Sequence, residues 1–166
     1  MPILNNSEGD ICWNLDLIRD EIIDINTTDT ETQNSIPFYF SLNVRDKMYE
    51  FQENKTYFHA DEINVITKGL NNIIHIIKEE NDESLTKERF EPFYYICDRS
   101  LFEFKVYDGG KDQVEIELWL NSKYVTKFVH DNGITFHVDI DELEEFSNTL
   151  MKQYQELLQR KEKVVN

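Results

Sequence analysis

At 166 residues, with 40% hydrophobic and 13% aromatic side chains, the chain has one domain's length and can bury a core unaided. Its 33 acidic residues against 17 basic ones, net −16, speak against nucleic acid and anionic membranes as partners. No stretch nears the ~18 consecutive apolar residues of a membrane span, and two cysteines without CxxC spacing, Cys12 and Cys97, speak against a disulfide framework.

In chain order, Ile11, Trp13, Leu15 and Leu17 alternate with Cys12, Asn14 and Asp16, the period-two pattern of a strand. Residues 26–35 are almost wholly polar and predict a mobile connection. Phe38, Phe40, Leu42 and Val44 mark a second strand, Arg45-Asp46-Lys47 a turn, and residues 48–51 the return. A further turn at Glu53-Asn54-Lys55 leads to a strand over 56–59. A helix follows to about Glu80, with Asp61 expected as its N-cap and Glu62 favourable in the first turn. Asn81-Asp82-Glu83-Ser84 is a break, and the stretch to Glu91 carries no clear pattern.

Beyond it, Phe102, Phe104 and Val106 alternate with Glu103, Lys105 and Tyr107, and Asp108-Gly109-Gly110 is a hairpin turn. Val114, Ile116, Leu118 and Leu120 form the return face against Glu115, Glu117 and Trp119. Further strands are expected over 124–130 and 134–138, separated by a turn at Asp131-Asn132-Gly133. A helix capped by Asp141 should reach about Arg160.

The two helices echo each other at a spacing of 80 residues. Asp61-Glu62-Ile63 answers Asp141-Glu142-Leu143, and Ile66, Leu70, Ile74 and Ile77 keep step with Phe146, Leu150, Tyr154 and Leu157. The strands align at 78, with Phe58-His59 on Phe136-His137 and Leu42 on Leu120, which puts a two-residue change between strand and helix. The expected fold is therefore α+β: a single domain of two pseudo-repeated units, about 10–80 and 92–162. Each unit is an antiparallel strand meander followed by one amphipathic helix. Both units are acidic, with net charges of −9 over residues 1–80 and −7 over 81–166.

Catalytic signatures are absent. Cys97 has no nearby histidine, and Gly-x-Ser-x-Gly, P-loop and Rossmann glycine patterns do not occur. His59-Ala60-Asp61 and His137-Val138-Asp139 offer ligand types for a metal-dependent enzyme using His59, His137 and Asp139. Helix capping accounts for the aspartates more simply, so no metal site or cofactor is expected. The acids Asp139, Asp141, Glu142, Glu144 and Glu145 read as a solvated helix face.

The residues that stand out are on strands. Trp119 shares a face with Glu115 and Glu117, and across the hairpin Glu103, Lys105 and Tyr107 take the matching side. In the first unit the corresponding side carries Tyr39. Aromatic anchors among carboxylates suit a surface that binds a basic protein, the acids steering and the rings burying. The competing reading is that a helix or second sheet covers this face and makes Trp119 ordinary core.

The segment from Val114 through Phe136-His137-Val138-Asp139 to Leu143-Glu144-Glu145-Phe146 is similar in layout to WapI-type immunity proteins, which bacteria keep against their own polymorphic toxins. That resemblance implies a protein that binds a basic nuclease-type toxin domain and occludes its active site. A phage-type inhibitor that mimics nucleic-acid charge against a host defence nuclease is the alternative in the same physical class, and a self-associating structural module is a further one. The start of the chain lacks a basic region followed by an apolar run, so a cytoplasmic location is expected.

Overall fold

The computed structural model describes residues 1–18, 35–51, 56–79, 88–98, 100–121, 123, 125 and 133–165. Five strands form the first sheet: β1 (Ile3–Asn5), β2 (Ile11–Leu17), β3 (Ser35–Val44), β4 (Lys47–Glu50) and β5 (Thr56–His59). They pair antiparallel in the order β1-β2-β3-β4, and β5 lies against the first half of β3. Helix α1 (Ala60–Glu79) follows directly. The second sheet takes β6 (Phe93–Ile96), β7 (Phe102–Asp108), β8 (Gln113–Leu120) and β9 (Ile134–Asp139) in that order, and α2 (Ile140–Val165) closes the chain. The fold is α+β, as the strand and helix periods predict. Among the described residues no helix is long and apolar enough to cross a membrane.

The period-two strands put their apolar sides into one core shared by both sheets and both helices. Trp13 is its hub, fully buried among Phe40 of its own sheet, Phe102 and Phe104 of the second sheet, and Phe146 of α2. The closest ring centroids stand 5.3 and 5.4 Å away, at Phe104 and Phe146.

The repeat is structural. Ile36 faces Phe58 across β3 and β5 as Val114 faces Val138 across β8 and β9, and Trp13 faces Leu42 as Phe102 faces Leu120. From residue 61 to 70 and from 141 to 150 the helices have the same sequence of buried, half-buried and exposed positions. His59 and Asp139 both stand immediately before a helix, so these two residues are equivalent. The two-residue change between the units therefore lies upstream of β5 and β9, not between strand and helix, and the alignment of His59 with His137 is corrected.

The caps are corrected too. The helices begin two residues earlier than expected, so His59 and Asp139 hold the N-cap positions, while Asp61 and Asp141 lie exposed within the first turn. Glu62 turns back to accept the His59 amide N–H at 2.7 Å, half of a capping box. Two short strands, β1 and β6, were not expected. The polar segment 26–34, the turn at 53–55, the break at 81–84 and most of the strand expected over 124–130 lie outside the described residues.

Each helix is tied to the opposite unit. The Glu62 carboxylate of α1 accepts the Tyr95 hydroxyl and the Asp98 amide at the end of β6. From α2, Gln153 accepts the Leu17 amide and donates to Asp16, while Asn5 Nδ2 reaches Glu142 at 3.5 Å. The helices also meet each other: Ser147 donates to Asn71, and Lys78 bridges Asp141 and Glu144 at 3.1 and 2.6 Å.

Close approach sets one glycine. A Cβ on Gly69 of α1 would stand 2.2 Å from the Phe93 ring of β6. Alanine normally stabilises a helix interior by ~1 kcal/mol relative to glycine. Gly69→Ala is expected to reverse that sign and lower stability by about 1–2 kcal/mol, because overpacking costs about 1–3 kcal/mol. Urea denaturation measures it, and a gain in midpoint would contradict the packing.

A buried ion pair fixes the second sheet's hairpin. Arg89, only 1% exposed at its side chain, forks onto both oxygens of Asp108, itself 9% exposed, at the end of β7. Its remaining N–H groups donate to the carbonyls of Gly110 and Lys111 at 2.7 and 2.8 Å. The guanidinium, together with amides of Arg89 and Gly110, holds the Asp108 carboxyl down at about 2.

Candidate functional site

The outward side of the second sheet assembles five of the six residues expected to bind a partner. Strand pairing sets Glu103 opposite Trp119, Lys105 opposite Glu117 and Tyr107 opposite Glu115. Tyr94 and Ile96 of β6 extend the row on one side, and Thr135, His137 and Asp139 of β9 on the other. Every one of these residues keeps solvent exposure, so Trp119 is not core. The pattern follows from pleating: Phe102, Phe104 and Val106 of β7 and Val114, Ile116, Leu118 and Leu120 of β8, the alternate apolar positions, are all buried. Tyr39 is elsewhere. It is 41% exposed on the outward side of the first sheet, bonded to Glu50, and does not belong to this group.

Glu117 organises the centre. It accepts the Trp119 indole N–H at 2.6 Å, and Lys105 Nζ and the Tyr107 hydroxyl each at 3.3 Å. The indole bond first, and Lys105 second, hold its carboxyl below the usual range. The same carboxylate holds the Lys105 ammonium above its ordinary value, so both groups stay charged at neutral pH. Lys105 also stands 5.2 Å over the Tyr94 ring, a cation–π distance. Tyr94 donates to Glu103 at 2.8 Å, which pushes its phenol up. Burial, and then Glu117, push the Tyr107 phenol up as well.

The indole is seated on Gly133, whose φ of +74° suits glycine. A Cβ there would come within 2.8 Å of the ring. The Trp119 side chain is thus clamped between a glycine and a carboxylate, a prepaid order that favours use as an anchor. Four acids (Glu103, Glu115, Glu117 and Asp139) against Lys105 give the face a negative balance, with His137 Nε2 3.6 Å from Glu115.

The metal-ligand types do not converge. His59 Nε2 pairs with Asp98 at 3.0 Å, and Asp139 accepts the Ser7 hydroxyl and the Gln113 amide at 3.3 and 2.8 Å. Among the described residues there is no group of three or more His, Cys, Asp or Glu side chains placed to hold a metal ion.

Tyr94 and Ile96 escape sequence reasoning because Phe93-Tyr94-Tyr95-Ile96 is apolar at every position, which hides the period of two. The only available signal is Pro92 before a run of aromatic and β-branched residues. No protein-family model matches the sequence, and no curated protein matches it.

Proposed function

We propose that the chain is an acidic binding protein that neutralises a basic protein partner, and that the outward side of the second sheet is its contact surface. One observation carries this reading: an ordered, half-buried indole and two tyrosines stand among carboxylates on the outward face of the second sheet. Such a face offers aromatic anchors for burial and negative charge for steering. Strands β8 and β9 and the start of α2 are also the elements that resemble WapI-type immunity proteins, which makes a nuclease-type toxin domain the favoured partner. Inhibition of a defence nuclease by charge mimicry draws on the same acidity, and gene neighbourhood separates the two.

Co-expression with the product of the adjacent gene tests the reading. A basic partner should co-purify, and its affinity should fall steeply with added salt. Trp119→Ala should weaken binding by ~2 kcal/mol or more while leaving the unfolding midpoint nearly unchanged. An acidic partner, salt-insensitive binding, or a Trp119→Ala protein that binds normally would each count against it.

A further inference from the structure

Strand β6 ends the second sheet, and among the described residues no strand pairs with its outer edge. The Cys97 amide bonds to the Phe102 carbonyl, which fixes the antiparallel ladder so that Phe93, Tyr95 and Cys97 bond to β7. The N–H and C=O groups of Tyr94, Ile96 and Asp98 therefore point away from the sheet. Glu62 of α1 occupies one of these positions by accepting the Asp98 amide at 2.8 Å. Those of Tyr94 and Ile96 meet no partner among the described residues.

Beside this edge is a cleft of about 450 Å³ between β6 and the first turns of α1. Its apolar wall is Val65, Tyr94 and Ile96, exposed by 50%, 47% and 47%. Asp61, Glu62 and Asp98 supply negative charge, with His59 paired to Asp98. The other unit shows how unusual the wall is. Val65 and Glu145 are equivalent positions, both exposed, and the second unit fills the position with an acid as a solvated helix face does. An exposed valine in its place makes apolar surface that the scaffold does not need.

We infer that the β6 edge captures an extended segment of the basic partner by strand addition. The partner's backbone bonds to Tyr94 and Ile96, an apolar side chain enters against Val65, and a lysine or arginine faces Asp61 and Asp98. The inference rests on the reading of the chain as a binder of basic proteins and adds how one segment of that partner is held.

A fluorescein-labelled peptide of four Lys-Val repeats is the probe, read by anisotropy at low salt. Val65→Glu, which installs the residue of the equivalent position, is expected to fold normally and to weaken binding at least tenfold. Simple charge attraction predicts the reverse, since the variant is more acidic. In the saturated wild-type complex, amide exchange of Tyr94 and Ile96 should slow at least tenfold. Absence of peptide binding, equal binding by Val65→Glu, or unprotected Tyr94 and Ile96 amides would overturn the inference. If Trp119→Ala abolishes binding while Val65→Glu retains it, strand addition fails and the sheet-face reading stands. If neither variant alters affinity, both fail.

Discussion

Trp13→Ala is expected to lower folding stability by about 3–5 kcal/mol, a large share of the 5–15 kcal/mol typical of a domain. Trp13 contacts rings from both sheets and from α2, so the cavity opens where these three layers meet, and no single element can move to fill it. The conservative variant isolates the cause. Trp13→Phe keeps a ring in the pocket and removes the buried indole N–H, which has no acceptor among the described residues. Its loss should be under half that of alanine, because an unsatisfied buried donor disappears as packing is lost. Urea unfolding followed by circular dichroism measures both, and equal losses would show that ring packing around Trp13 is not the dominant contribution.

Breaking the Arg89–Asp108 pair should cost a similar amount. Asp108→Ala leaves a guanidinium that is 1% exposed without its carboxylate, and removing one member of a buried pair costs about 3–5 kcal/mol. The pair also sets a pH dependence. The folded carboxyl titrates at about 2, below its unfolded value of 3.8, so its contribution is complete above about pH 4 and is lost as pH falls toward 2. In the wild type, stability should drop across that window by about 2–3 kcal/mol from this group. Asp108→Ala should lose that component of the decline, and an unchanged acid profile would show that the pair carries no such linkage.

The sequence makes legible whatever rests on simple periodicity. Strands such as Gln113–Leu120, with alternate positions buried, and the two helices with matching stripes are read directly from apolar spacing. Placement of Trp119 on an exposed face follows from the glutamates beside it, because two interleaved carboxylates rarely tolerate full burial. The readings that fail do so for identifiable reasons. Phe93–Ile96 has no polar alternation, and Ile3–Asn5 is too short to show one. The caps shift by two residues because Asp61 and Asp141 are good cap types standing near an unexpected cap, histidine in one unit. Tyr39 joins the wrong group because equivalent positions of two units are on two separate sheets. Long-range pairing is what the linear pattern lacks, and the bonds from Glu62 to Tyr95 and from Gln153 to Leu17 are of that kind.

The crossed bonds of the two helices have a further consequence. Glu62 reaches the end of β6, and its counterpart Glu142 reaches the end of β1, so the contact between the units is the self-complementary kind found in a two-fold homodimer. Joining both subunits in one polypeptide frees them from symmetry. In a homodimer any change at the position of Val65 would be written twice; here one copy keeps the acid and the other exposes a valine. A symmetric core thus carries a one-sided surface, and the edge proposed to capture a partner would occur once per chain instead of twice.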